Sequence, residues 1–376
     1  MRIGFDAKRL FNNFTGLGNY SRFVVNALCE SYPKNEYWLY APKIRNHPEV
    51  DDIVQKSSIK LRDPSKLTSA LRLGSFWRSY NLGKIAKQDN VQLFHGLSNE
   101  LPITKPSQLK TVVTVHDLIF KRFPEFYKPI DIKIYTWKLK KTCQTADKII
   151  AISKQTANDL IEFLDVDPAK IDVVYQGSHS NFKRSYTVEQ LKEVSNRYKL
   201  PKEYILNVGT IESRKNVLLL LQSLTLLKLD VPVVIVGKAT PYMKQLTEYI
   251  AANDLEKKVI FIHNVSFADL PAIYRMANVF VYPSLFEGFG IPIVEAISCG
   301  VPVITSTGSC FAEAGGLDCL YVDSNNPEQL AEALKNVLSD GAKAKLMVEK
   351  SKNYSKRFEP NVIASDLMRI YNGLVQ

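Results

Sequence analysis

Cysteine is scarce in this chain of 376 residues, and the five that occur (Cys29, Cys143, Cys299, Cys310 and Cys319) are scattered, without CxxC spacing or histidine partners. That excludes a disulfide framework and a zinc site, and reduced thiols in a cytosolic setting are expected. No run approaches the roughly 18 to 20 apolar residues of a membrane span; the longest, such as 231–237, are strand-sized. The opening Met1-Arg-Ile-Gly-Phe-Asp-Ala meets charge at Asp6 and Lys8, so a first strand is expected there and not a signal peptide. No period recurs, and Gly (17) and Pro (18) are near average, which excludes solenoids and low-complexity arrays. A serine or cysteine elbow is missing, and with it any nucleophile triad; His47, His179 and His263 attract no role.

What is present is a globular composition, 45% hydrophobic and 23% charged, in a chain too long for one core. Two domains follow. The net charge of +11 lies wholly in the first half: residues 1–185 hold 29 Lys and Arg against 18 Asp and Glu, residues 186–376 hold 20 against 20. A one-sided basic surface suits an anionic partner such as nucleic acid, an acidic membrane or a phosphorylated lipid, and it equally serves plain solubility.

Short β-branched runs at 2–6, 38–41, 58–61, 91–94, 111–115, 148–152 and 171–175 alternate with helical patterns, and a second series follows at 204–208, 231–236, 259–262, 279–282, 303–305 and 319–322. Such βα repetition predicts an α/β fold of two doubly wound parallel sheets covered on both faces. The expected domains are 1–185 and 186–358, with the boundary in the polar stretch 178–200. A terminal helix is expected over 359–376, from Val362, Ile363, Leu367, Ile370 and Leu374 at helical spacing after Pro360. Ligands of such sheets bind beyond the carboxyl ends of the strands.

The most informative of those loops follows the strand 279–282 and reads Pro-Ser-Leu-Phe-Glu287-Gly-Phe-Gly-Ile-Pro-Ile-Val-Glu295-Ala-Ile-Ser-Cys-Gly300. Pro292 suits a first helical turn and Gly300 the position past its end, so Gly288-Phe289-Gly290 leads into a short helix. Exposed amides and the helix dipole make that loop an anion site, and Glu287 and Glu295 can accept bonds from sugar or ribose hydroxyls. The plainer alternative is two solvated carboxylates. After the strand 204–208, Arg214 and Lys215 form a cation pair able to neutralise a departing diphosphate, or simply to cap the next helix. Gly16 and Gly18 follow the first strand as either a phosphate-facing loop or a tight turn. As a dinucleotide fingerprint they fail, because Ser21 stands where a third glycine is needed. His116 and His95 end two strands where ligand loops belong, His95 as a holder of loop structure. The string Asp165-Val-Asp167 before Pro168 reads as turn and cap chemistry, not as a metal site.

Glu287 and Glu295 match the E-x7-E motif of the retaining glycosyltransferases of family four, which the sequence resembles over nearly its whole length. Val-Gly-Thr-Ile-Glu-Ser-Arg-Lys-Asn (208–216), Asn-Val-Ser (264–266) with Leu270 and Tyr274, Thr-Val-His-Asp (114–117) and Ala-Ile-Ser-Lys (151–154) carry the same likeness. The resemblance implies a GT-B fold of two facing Rossmann-like domains, an acceptor-binding first and a nucleotide-sugar-binding second, with the terminal helix returning to the first. It implies that Glu287 contacts the donor sugar and Glu295 the nucleotide ribose. The amides of Phe289, Gly290 and Ile291 would hold sugar or diphosphate, with Asn264 also at the donor. His116 would lie against the donor sugar and Gly16 and Gly18 face the donor phosphates. Family members commonly carry Arg where Thr210 stands, which leaves Lys215 as the surer cation and Arg214 as its substitute. The family is thought to retain configuration by front-face attack with the leaving phosphate as base.

The expected activity is a metal-independent, cofactor-free hexosyltransfer from a nucleoside diphosphate sugar, GDP-mannose favoured, in surface polysaccharide assembly. The expected acceptor is a glycan or polyprenyl-diphosphate-linked glycan, and nucleic acid is not an expected partner. Two segments interleave lysines and aromatics, 121–141 and 72–87 with Phe76, Trp77 and Tyr80. They suggest a cytoplasmic protein that is peripheral on an anionic membrane; stacked single-stranded nucleic acid or an ordinary helix are the other readings of the first. A nucleotide-sugar epimerase or phosphorylase of the same fold, and a nucleic-acid-binding protein, remain as alternatives.

Overall fold

The computed structural model describes residues 1–64, 77–227 and 231–376; the part of the second basic stretch that includes Arg72 and Phe76 lies outside them. The chain forms two units, the first made of Met1–Gly177 with Phe358–Gln376 and the second of Ser178–Arg357.

In the first unit seven strands form one sheet: β1 (Arg2–Asp6), β2 (Glu36–Tyr40), β3 (Ile59–Arg62), β4 (Leu93–Gly96), β5 (Lys110–Val115), β6 (Lys148–Ala151) and β7 (Ile171–Val173). Their order is β3-β2-β1-β4-β5-β6-β7 and every pairing is parallel. The second unit orders β8 (Ile205–Val208), β9 (Val233–Val236), β10 (Val259–Ile262), β11 (Val279–Tyr282), β12 (Val303–Ser306) and β13 (Leu320–Val322) as β10-β9-β8-β11-β12-β13, again parallel. Helices cover both sheets, so strands such as β9 and β11 are buried at every residue, and their unbroken apolar runs follow from that. Both orders reverse direction beside the first strand of the unit, between β1 and β4 and between β8 and β11. At such switch points adjacent loops diverge and leave a crevice at the strand ends.

The helix Pro360–Val375 belongs to the first unit. Its buried face, including Ile363, Leu367, Met368 and Tyr371, packs on the helix Gly16–Ser31. The boundary falls between Gly177 and Ser178, at the start of the expected polar stretch 178–200 and eight residues before the division expected after residue 185. The cause is Phe182, fully buried against Phe267 and Tyr274, whose carbonyl accepts bonds from Arg275 Nη2 (3.1 Å) and Cys299 Sγ (3.4 Å). A polar-looking segment is thereby tied into the second unit by one aromatic ring.

The glycine pair after β1 also differs from expectation. Both glycines lie inside the first turns of the helix Gly16–Ser31, not in a loop. Asn13 Oδ1 accepts from the amides of Thr15 (2.9 Å) and Gly18 (3.1 Å), and a Cβ at Gly18 would stand 1.7 Å from the Asn13 carbonyl oxygen. Gly16 is exposed, with open space where its Cβ would be. Gly18 therefore serves packing. Gly18→Ala is expected to cost about 1–3 kcal/mol and Gly16→Ala under about 0.5 kcal/mol in urea unfolding; equal stability of the two variants would refute the assignment.

All five cysteines are buried and unbridged. Asp165 and Asp167 act as caps: Asp165 takes the left-handed conformation after the helix Lys154–Leu164, and Asp167 accepts from the Ala169 amide at 2.9 Å. No helix among the described residues is long and apolar enough to cross a membrane.

Candidate active site

The switch point of the second sheet brings together the loops after β8 and β11. The first makes a single turn over Ser213–Lys215, closed by Asn216 in the left-handed region (φ 54°), which sets Arg214 and Lys215 side by side. Leu285 of the second loop donates its amide to the Arg214 carbonyl at 2.9 Å, locking the two loops. Glu287 then meets both cations.

Its Oε1 receives Lys215 Nζ at 2.6 Å, Arg214 Nη1 at 2.9 Å and the Tyr282 hydroxyl at 3.0 Å. Lys215 also donates to the Tyr282 hydroxyl at 2.6 Å, while Arg214 bonds the Phe286 carbonyl (2.5 Å) and Glu212 (2.7 Å). Burial alone would raise the Glu287 carboxyl; the Lys215 and Arg214 charges and their hydrogen bonds overcome it and bring the group to about 2. Burial works against the Arg214 guanidinium as well, and Glu287 and Glu212 hold it firmly charged. In the cluster Glu287 lies between two cations, one of them also paired with Glu212, and all three of its side-chain donors among the described residues converge on Oε1, which leaves Oε2 spare. Ser309 and Cys310 grip the same residue through its backbone, Ser309 Oγ and Cys310 Sγ each donating to the Glu287 carbonyl at 3.1 Å.

Three residues on, Gly290 holds φ at 98°, a conformation that a side chain disfavours, and starts the helix Ile291–Cys299, which Gly300 closes in the left-handed region. Phe289 is buried, and Ile291 is the helix's first residue. The N-terminal amides of that helix make a dipole-assisted anion cradle next to the cation pair. One turn into it, Glu295 accepts from the Tyr274 hydroxyl at 3.1 Å. Burial raises the Glu295 carboxyl to about 7, against the lowering effect of that bond. Two glutamates eight residues apart thus have opposite electrostatics, set by whether a cation is in reach. Asn264 follows β10 and is exposed.

His116 is in the first unit, at the end of β5. Its Nε2 donates to the Leu97 carbonyl (2.9 Å), which fixes the tautomer, and Gln176 Nε2 donates to its Nδ1 at 3.4 Å. Burial lowers the ring to about 4, so it is neutral at pH 7. A neutral ring carries no positive charge toward a developing anion, and both of its nitrogens are engaged within the chain, Nε2 by the Leu97 carbonyl and Nδ1 by Gln176. Tyr20 packs edge-on against it at 4.7 Å. His95 is wholly buried between Tyr371 (2.6 Å) and Thr114 (2.8 Å), tying the terminal helix to β5, and it holds structure.

Two site residues have no role assigned on sequence grounds, Tyr282 and Tyr274, the latter named only within the family likeness. Tyr282 and Tyr274 are buried aromatics whose hydroxyls meet the two glutamates, and burial with those carboxylates keeps both phenols protonated. Tyr282 was signalled by its place as the last residue of the strand before the motif.

Residues 16–180 match Glycosyltransferase Family 4, and residues 189–354 match Glycosyl transferases group 1. O-antigen chain mannosyltransferase B of Escherichia coli is 27% identical over 372 residues, 95% of this chain and 96% of that protein. O-antigen chain mannosyltransferase RfbU of Salmonella typhimurium is 28% identical over 264 residues, 70% and 69% of the two chains. Among solved structures, HepE of Anabaena in complex with UDP shares the fold with a TM-score of 0.75 at 16% identity, over 100% of both chains. The chain belongs to the GT-B glycosyltransferases of family four and is a hexosyltransferase.

Proposed function

We propose that the protein transfers mannose from GDP-mannose, with retention and without a metal, to a glycan or polyprenyl-diphosphate-linked glycan in surface polysaccharide assembly at the inner face of the plasma membrane. The observation that carries the reading is the convergence of Arg214 and Lys215 on Glu287 beside the glycine-led helix. Two fixed cations supply the charge that a departing diphosphate needs, which is the part a divalent ion would otherwise play. The spare oxygen of Glu287 takes a sugar hydroxyl, the amides of Phe289, Gly290 and Ile291 take phosphate oxygens, and Glu295 takes the ribose diol. The choice of mannose is supported by the O-antigen mannosyltransferase that matches 95% of the chain. In the transfer the anomeric carbon leaves the β-phosphate oxygen and bonds the acceptor oxygen, whose proton passes to the departing phosphate.

The test is a binding and transfer assay. GDP is expected to raise the melting temperature more than UDP or ADP, and mannosyl transfer is expected to persist in chelator. Because Glu295 is protonated below about 7 and accepts diol hydrogens as a carboxylate, GDP binding is expected to tighten from pH 6 to pH 8 with release of a proton. Calorimetry in buffers of different ionisation heat reads that proton, and Glu295→Gln removes it. A shift with UDP alone, strict magnesium dependence, or pH-independent binding would each overturn the corresponding part.

A further inference from the structure

The helix Pro129–Thr145 covers one side of the first sheet through Leu139, Thr142 and Cys143, and Leu139 and Cys143 pack with Val113 and Val115 of β5. Its opposite face is apolar where a surface helix is ordinarily polar: Ile130, Ile134 and Trp137 are 60%, 42% and 62% exposed. They recur at i, i+4 and i+7, one stripe along the helix. Lys141 continues that stripe one turn on, and Lys133 and Lys138 stand on its two flanks, against Asp131 as the sole acid of the helix. A stripe of large apolar side chains edged by ammonium groups on flexible stems fits a surface whose hydrocarbon lies just beneath anionic headgroups. A tryptophan at that level is at its favoured depth.

We infer that the outer face of the helix Pro129–Thr145 is a docking surface for an anionic lipid bilayer. Three side chains are too few for the roughly 1,200–2,000 Å² of a stable protein interface. Isoleucines offer no ring on which bases stack, which disfavours single-stranded nucleic acid. The excess of +11 in residues 1–185 adds long-range attraction of the same sign. The inference rests on the proposed function only in that a lipid-linked acceptor gives the contact its use.

The experiment uses the full chain with phosphatidylcholine vesicles, with and without phosphatidylglycerol. Trp137 emission is expected to shift to the blue, and the protein to float, only with the anionic lipid and less at high salt; Trp137→Phe identifies the signal against Trp38 and Trp77. The triple variant Ile130→Ser, Ile134→Ser, Trp137→Ser is expected to bind at least about tenfold more weakly, and Lys133→Gln with Lys141→Gln to lose the preference for phosphatidylglycerol. The melting shift with GDP is expected to be unchanged in both, so a failure of docking is distinguishable from a failure of donor binding. Vesicle binding undiminished by the triple variant, no binding by the parent protein, or a dimer that the triple variant dissociates would overturn the inference.

Discussion

Lys215→Ala is expected to lower kcat by about 10²–10³-fold while changing the KM for the donor far less. The Lys215 ammonium is shared between Glu287 and the Tyr282 hydroxyl, and it lies 5.0 Å from the centre of the Tyr282 ring. The charge on a leaving diphosphate grows as the glycosidic bond breaks, so a fixed cation acts mainly on the transition state. Arg214 remains in the variant and keeps Glu287 neutralised, which is why the protein is expected to fold. Steady-state kinetics with GDP-mannose check the split, and a variant with parental kcat would remove Lys215 from the reaction.

Glu287→Ala is expected to destabilise the second unit strongly. It takes the carboxylate from the half-buried Lys215 and the buried Tyr282 hydroxyl and leaves Arg214 with Glu212 and the Phe286 carbonyl, a loss of about 3 kcal/mol. Linkage leads to a similar figure: a carboxyl that falls from 4.5 to about 2 on folding stabilises by about 3 kcal/mol at neutral pH. Because the folded value is the lower one, this contribution is complete above about 4.5 and disappears as the pH falls toward 2. Urea unfolding should therefore show a gap between parent and variant at pH 7 that narrows below pH 4.5. A constant gap, or none at neutral pH, would show that the ion cluster does not hold these loops.

The motif was legible because its chemistry is local. Pro292 and Gly300 bracket a nine-residue helix, and the structure bounds it at Ile291 and Cys299 with Gly290 in the left-handed region before it. The strands were legible because parallel, doubly covered sheets demand unbroken apolar runs, and runs such as 204–208 and 279–282 have no other compact use. Gly18 was less so: a glycine needed to face phosphate and one needed to clear the Asn13 carbonyl look alike in sequence. The unit boundary was obscured for a similar reason, since Phe182 sits alone among polar neighbours and its burial depends on Phe267 and Tyr274, which come far later in the chain.

The sequence by itself determined the elements, the family and the positions of the ligand loops, because propensity, capping and hydrophobic period act over a few residues. Only the tertiary structure decided the electrostatic character of the site. Glu287 and Glu295 have the same side chain, but the adjacency of β8 and β11 sets two cations against the first, while among the described residues the second has Tyr274 as its side-chain donor; the strength of a charge interaction depends on separation in space and on burial, and neither is written in the spacing of residues along a chain.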